Sequence, residues 1–168
     1  MKAKSVNESF ETHEEETVKA LKSNAVKVLE HSEEAVEKAK NDENIFIKIL
    51  YNRKIDDEDA IFCDDKYAIN RDGVLYSLCS NSFIKPHIST KSKYAEMTHR
   101  IEGKRKYEEL HKLVAAVFVS VRAVCKGYVV HHVDLNVKNN NYSNLQVMTG
   151  AEHRKLHAEL RRKAREQK

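Results

Sequence analysis

Apolar and polar positions alternate over much of residues 66–103, and this pattern predicts short β-strands. The stretch KYAINRDGVLYSL (66–78) alternates on both sides of Asp72-Gly73. An Asp-Gly pair between two such runs is a strong signal for a β-hairpin. The stretches SFIKPHIS and YAEMTHRIEG that follow are also strand-like, and Pro86 indicates an edge position. We therefore predict a small strand-rich module here.

Two other segments have helical periodicity. KRKYEELHKLVAAVFVSV (104–121) is predicted to turn helical, with one apolar face made by Leu110, Leu113, Val114, Val117 and Phe118. His111 lies between a charged run and that face, and we predict a surface or capping role for it. Residues 11–40 lack Gly and Pro, and this range is predicted to form a helix or a weak coiled coil. The prediction rests on a thin, mostly apolar stripe of residues spaced three and four apart: Val18, Leu21, Ala25, Val28, Ser32, Ala35 and Ala39.

The last part of the chain reads as strand, loop, strand and helix. GYVVHHV is a β-branched run, and LQVMT is a second short strand. Between them VKNNNYSN has four asparagines and one serine in eight residues, a composition that suits a loop. The Thr149 hydroxyl is predicted to cap the helix that begins GAEHRKLH.

Four of the nine histidines lie in this part. Neighbours in a strand point to opposite faces, so His131 and His132 are predicted to have different roles. His153 and His157 are four apart on one helix face, a spacing at which two imidazoles bind one divalent metal. Two alternatives stay open at this level, a zinc site that only stabilises the fold and histidines that fall by chance on a basic surface.

The charge of the chain is unevenly divided. Residues 1–65 carry 10 Lys and Arg against 17 Asp and Glu, whereas residues 66–168 carry 20 against 9, a net of +11. Such an excess favours a polyanion partner, most simply nucleic acid. A lysine-rich surface that only confers solubility would have the same composition.

Other classes of protein fit the sequence poorly. No apolar run approaches the roughly 20 residues of a membrane span, and the start MKAKSVNESFETHEEET has no apolar core of a secretory signal. The three cysteines have no CxxC spacing, which argues against a disulfide framework. We expect a cytoplasmic protein with reduced thiols and no membrane partner.

The segment 126–157 resembles the HNH, or ββα-metal, nuclease motif. It is especially similar to the version in phage homing endonucleases, H-x-D-x-N…N-N…N-L…V-T, which reads here HVDLNVKNNNYSNLQVMT. Upstream, YAINRDGVLYS and HKLVAAVFV resemble the strand-rich DNA-binding module that often precedes HNH, so the resemblance covers about half the chain. It implies an α+β fold with a strand-rich module ending in a helix (45–125) and a C-terminal ββα-metal motif with a basic helix (126–168). The acidic helical extension that precedes them (1–44) is predicted from charge and periodicity and is not covered by the resemblance.

The resemblance also implies roles for individual residues. His132 matches the general base, and Asn144 matches the asparagine that braces the loop and orients that base. The implied ligands of one divalent ion (Zn, Mn, Ni or Mg) are His131, His153 and His157. Basic residues on or beyond the same helix are expected to contact DNA phosphates: Arg154, Lys155, Arg161 and Arg162.

Two positions depart from the family pattern. Leu135 stands where relatives commonly have Gly, so Asp134 and Asn136 are expected to adopt the turn instead. His131 stands where many relatives have Asp, which moves the expected preference towards transition metals, because imidazole suits Zn, Ni and Mn better than Mg.

The function implied is that of a metal-dependent HNH endonuclease that hydrolyses phosphodiester bonds of double-stranded DNA, of the phage homing type, by nicking or by double-strand cutting. The expected localisation is the cytoplasm, which is that of the host cell if a phage encodes the protein. The sequence is compatible with both a monomer and a dimer. The alternatives are a DNA-binding protein with a structural metal, and an HNH nuclease of low specificity used in defence or competition.

Overall fold

The computed structural model describes residues 26–49, 54–55, 58–59, 66–101 and 104–166. Within these ranges helices and strands are mixed in the α+β manner predicted, with three α-helices and four small sheets. None of the described helices is long and apolar enough to span a membrane.

The largest sheet has five strands in the order β1-β2-β5-β6-β7. β1 runs parallel to β2, and the other neighbours are antiparallel. Helix α1 connects β1 to β2, and the side chain of its N-cap residue Ser32 accepts a hydrogen bond from the Ala35 amide. The elements are β1 (Lys27–Leu29), α1 (Glu33–Asn41), β2 (Ile45–Lys48), β5 (Tyr67–Ile69), β6 (Leu75–Ser77) and β7 (Ser82–Ile84). A separate two-stranded ladder pairs β3 (Lys54–Ile55) with β4 (Glu58–Asp59).

The predicted hairpin around Asp72-Gly73 joins β5 to β6. Its turn is closed by the Val74 carbonyl, which accepts from the Asn70 amide, and Gly73 adopts a φ of +83°. A Cβ at Gly73 would lie 3.2 Å from Asn140 Cβ and 3.3 Å from Val114 Cγ2. Glycine is therefore required at position 73 for two reasons: the positive φ and the close approach of the asparagine-rich loop.

A three-stranded antiparallel sheet follows, in the order β10-β9-β8, and leads directly into the second helix. Its strands are β8 (His87–Ile88), β9 (Ala95–Ile101) and β10 (Lys104–Glu109), and the helix α2 spans Leu110–Phe118. The segment KRKYEE, predicted as the start of this helix, is instead strand β10. Its six residues pair with β9 along their whole length, and this ladder outweighs the helical propensity of a lysine- and glutamate-rich run.

The C-terminal part has the predicted order of two strands and a helix. β11 (Tyr128–His132) pairs antiparallel with β12 (Leu145–Thr149), and α3 (Gly150–Glu166) begins immediately afterwards. The same hydrophobic cluster includes Val130 and Leu145 from these strands, Leu113 and Val114 from α2, and Ile47 from β2. The C-terminal elements are therefore packed on the strand-rich part through one continuous core.

The N-terminal helix differs from the prediction. Of the predicted range 11–40, residues 11–25 lie outside the described residues, and residues 27–29 form a strand. Val28 pairs with Phe46 in the parallel ladder, so this apolar residue belongs to the sheet and not to a helical stripe. The helix begins only at Glu33, after the Ser32 cap.

Candidate metal and catalytic site

Strand β11 delivers the histidine doublet to two different environments. In the register of the hairpin His131 is opposite Gln146 and His132 is opposite Leu145, and both histidines are buried. The His131 ring faces α3, where its centroid lies 5.4 Å from that of His153 and 5.0 Å from that of His157. Because adjacent strand residues alternate, the His132 ring lies on the opposite face.

The start of α3 is fixed by a reciprocal cap, as Thr149 predicts. The Thr149 hydroxyl accepts from the Glu152 amide at 3.3 Å, and a Glu152 carboxylate oxygen accepts from both the amide and the hydroxyl of Thr149, each at 2.8 Å. These hydrogen bonds lower the pKa of the Glu152 carboxyl. The cap determines where the helix begins, and thereby which residues face β11.

His131, His153 and His157 form a cluster with the donor set of a metal site. One ring nitrogen of each lies within 4.8 Å of the others, and the Nε2 atoms of His153 and His157 are 3.1 Å apart. Two nitrogens bound to one tetrahedral zinc at about 2.0–2.1 Å are separated by roughly 3.3 Å, so the helical pair fits such an ion with little movement.

The surroundings of His131 and His153 favour the neutral form that metal binding needs. Burial, followed by the proximity of His157 and His153, lowers the pKa of His131. Burial and the neighbouring His157 lower the pKa of His153. Neutral imidazoles offer lone pairs to a cation, whereas imidazolium rings would repel it.

His132 is held by a polar contact on its own side of the strand. Its Nε2 lies 3.5 Å from the Oδ1 of Asn140, an amide oxygen that can only accept, so Nε2 carries the proton in this contact. Nδ1 is then the unprotonated nitrogen of a neutral ring. Burial lowers the pKa of His132, against the opposing effects of Asn140 and Asp134.

Two further rings pack against one side of His132. Tyr94 stacks on it with 6.0 Å between centroids and 12° between planes, and His111 packs at 5.1 Å and 56°. Tyr94 and His111 also contact each other at 4.5 Å. The prediction of a surface or capping His111 is wrong, because this side chain is only 3% exposed.

Asn144 ties together the loop between the two strands. Its side-chain amide donates to Asp134 Oδ1 and to the Asn139 carbonyl, both at 2.9 Å, and its Oδ1 accepts from the Asp134 amide at 3.0 Å. Its backbone carbonyl also accepts from Val133, the residue after His132. The structure thus brings Asn144 to the loop it was predicted to brace, and Asn140 lies in that loop.

Leu135 does not behave as expected. Asp134 and Asn136 were predicted to adopt the turn that Gly makes in relatives, but Leu135 itself has a φ of +62°. Its amide donates to the His132 carbonyl at 3.0 Å, which closes a tight turn just after the doublet. The hydrogen bonds of Asp134 and Asn136 fix the backbone on either side, and the strained conformation therefore remains on Leu135.

The predicted phosphate contacts are all exposed on α3: Arg154, Lys155, Arg161 and Arg162. Among them Arg162 lies 3.7 Å from Glu166, one turn further on. Arg154 and Lys155 follow His153 directly, whereas Arg161 and Arg162 lie beyond His157 on the same helix.

Asn140, His111 and Tyr94 were not predicted from the sequence as neighbours of His132. A signal for His111 was present, because it precedes Val114, Ala115 and Phe118 by three, four and seven residues, the spacing of one helix face. Nothing in the local sequence pattern marks Tyr94, whose contact with His132 spans 38 residues of chain.

Comparisons with known proteins found similar proteins and one matching family model. Residues 124–155 match the family model described as HNH endonuclease. The H-N-H endonuclease F-TflII of Escherichia phage T5 is 34% identical over 89 residues, which are 53% of this chain and 46% of the relative. The chain thus spans about half the length of this curated relative.

A solved structure is similar as well. It describes DNA binding and cleavage by the HNH homing endonuclease I-HmuI, is 29% identical, and covers 57% of this chain and 52% of its own, with a TM-score of 0.47. The family match includes the doublet, the asparagine-rich loop, Asn144 and His153. Residues 124–155 of this chain are therefore similar to the HNH endonuclease family.

Proposed function

We propose that this protein is a metal-dependent HNH endonuclease that hydrolyses phosphodiester bonds of double-stranded DNA. The observation that carries the proposal is that the adjacent His131 and His132 lie on opposite faces of strand β11. His131 joins two helical histidines in a cluster suited to a divalent ion, while His132 lies on the other face with one polar contact. A site that only stabilises the fold requires the first arrangement and has no use for the second.

The chemistry follows from these two environments. When bound, a divalent ion supplies positive charge to the scissile phosphate and to the leaving oxygen. His131, His153 and His157 hold it, and three imidazoles favour zinc or nickel over magnesium. His132 Nδ1 accepts the proton of the attacking water, while Nε2–H remains directed at Asn140. General base catalysis of this kind contributes about 10²–10⁴-fold in rate.

Asn144 acts on His132 indirectly. By binding Asp134 and Asn139 it holds both ends of the loop that carries Asn140. Asn140 in turn contacts the nitrogen of His132 that does not react. The role proposed for Asn144 is therefore to keep the base pointed at the water, without contact with the reacting atoms.

DNA is the proposed substrate because residues 66–168 are basic and because the chain is similar to HNH endonucleases. The region 66–168 carries a net charge of +11, and Arg154, Lys155, Arg161 and Arg162 extend along the exposed side of α3. Relatives are named as phage and homing endonucleases, and we infer the same class here, with nicking or double-strand cutting as its mode. The competing function is DNA binding with a structural metal.

One pair of variants separates these two functions. His132→Ala is expected to bind zinc as wild type does in calorimetric titration, yet to cleave plasmid DNA at least about 10²-fold more slowly. His157→Ala is expected to lose both metal affinity and cleavage. His87→Ala, which removes an exposed histidine of β8, serves as the matched control.

Either of two results would contradict the proposal. Cleavage at the wild-type rate by His132→Ala, purified away from other nucleases, would show that His132 is not the base and would exclude the proposed HNH mechanism. Unchanged zinc affinity in His157→Ala would reduce the cluster to two protein ligands.

A further inference from the structure

Helix α2 places one polar ring on a face that is otherwise apolar. The buried residues of this helix are Leu110, His111, Leu113, Val114, Ala115 and Phe118. His111 is as inaccessible as its apolar neighbours, with 3% of its surface exposed. Ordinary core packing would be served better by an aliphatic side chain at this position.

Hydrogen bonding does not account for the histidine either. Its Nδ1 is buried without a partner among the described residues, and unsatisfied buried nitrogens destabilise a fold. Its Nε2 lies 3.8 Å from a Glu109 carboxylate oxygen, beyond hydrogen-bonding distance. Burial lowers the pKa of His111 to about 4, so at neutral pH there is no charge for an ion pair with Glu109.

What His111 does contact is the His132 ring and the Tyr94 ring. The three centroids form a triangle with sides of 4.5, 5.1 and 6.0 Å. Tyr94 lies nearly parallel to His132, and His111 is tilted by 56°, so two planar groups limit the rotation of the His132 ring.

The polar contact of His132 is too weak to fix the ring by itself. At 3.5 Å the contact with Asn140 is at the long end of hydrogen bonds, and such bonds restrict orientation poorly. A displacement of a catalytic group by about 1 Å can reduce the rate about 10²-fold. Two rings that contact each other and pack against one side of His132 at different tilts would supply the constraint that this contact lacks.

We propose that His111 and Tyr94 are positioning residues that fix the orientation of the His132 ring. The inference rests on the proposed function, in which His132 is the base. Both residues precede the matched segment 124–155 and come from different elements, α2 and the turn before β9. The strand-rich part of the chain therefore completes the nuclease centre and does more than bind DNA.

The test compares variants that remove a ring with one that keeps it. Tyr94→Leu and His111→Leu are expected to lower kcat for plasmid cleavage about 10- to 100-fold, with KM and zinc affinity unchanged, because His132 becomes misoriented while metal and DNA still bind. Tyr94→Phe retains the stacked ring and is expected to restore kcat to within about three-fold of wild type.

A wild-type kcat in Tyr94→Leu would overturn the inference. A Tyr94→Phe variant as slow as Tyr94→Leu would also overturn it, because the hydroxyl and not the ring would then be required. Tyr94 is only partly buried, so this pair decides the question even if His111→Leu fails to fold. His132→Ala in the same assay separates the two proposals. An active His132→Ala refutes the proposed function, whereas an inactive one beside fully active leucine variants refutes only the positioning role.

Discussion

Replacing the buried His111 by leucine should remove a large acid-dependent loss of stability. Burial lowers the pKa of His111 in the folded protein to about 4, against an ordinary value of 6.5. Between these values the unfolded chain binds a proton at this position and the folded protein does not. The stabilising contribution is therefore complete above pH 6.5 and is lost as the pH falls towards 4.

The magnitude follows from the same two values. A difference of one pKa unit corresponds to about 1.36 kcal/mol, so His111 should destabilise the wild-type protein by about 3 kcal/mol at pH 4 relative to pH 7.5. Leucine cannot bind the proton, and His111→Leu should escape this loss. At pH 7.5 the variant should be at least as stable as wild type, because the unpartnered Nδ1 is gone.

The assay is urea unfolding followed by circular dichroism at several pH values, with a chelator present so that metal binding does not contribute. Wild type alone would be a poor guide, because burial raises the pKa of Glu108 to about 7 and gives a pH dependence of opposite sign. The difference between variant and wild type cancels that effect. It should grow by about 3 kcal/mol from pH 7.5 to pH 4, and parallel curves would refute the inference that His111 is buried and neutral.

Three further outcomes are expected. Leu135→Gly should raise the free energy of unfolding by roughly 0.5–1 kcal/mol in urea titration. Glycine removes the cost of about 1–2 kcal/mol of a left-handed leucine, and the greater entropy of glycine in the unfolded chain offsets part of that gain. A loss of stability would show that the leucine side chain contributes more than its conformation costs. Asn144→Asp should keep zinc affinity but cut plasmid DNA about 10²-fold more slowly, since a second carboxylate would face Asp134 and loosen the loop; a wild-type rate would remove Asn144 from the mechanism. Arg154→Gln and Lys155→Gln should each weaken binding to DNA of any sequence in fluorescence titrations, and should reduce the slope of log affinity against log salt concentration by about 1. An unchanged slope would mean that these side chains do not contact phosphates.

The sequence predicted best what depends on neighbours in the chain. Alternation along β11 separated His131 from His132, and the spacing of four placed His153 and His157 on one face. The Thr149 cap was equally local, because its partner Glu152 is three residues away. Such features follow from strand and helix geometry alone.

The errors arise where distant segments decide the structure. Residues 27–29 have helical propensity but pair with β2, and KRKYEE pairs with β9. No local pattern reveals a partner strand, so propensity gave the wrong element in both places. The ring contacts of His132 have the same origin, since Tyr94 and His111 reach it from other parts of the fold.

The close approach at Gly73 bears on how this chain could be recombined with other proteins. The turn after β5 touches the asparagine-rich loop at Asn140, and the Arg71 carbonyl accepts from the Tyr142 amide at 2.9 Å. A chimaera that transplanted only residues 124–155 would leave this turn behind and expose the far side of the loop. A transplant that begins before Lys27 also carries the turn, Tyr94 and His111, and it keeps β2, which pairs with β5 and contributes Ile47 to the shared core. That longer unit is the one expected to fold and to cleave DNA.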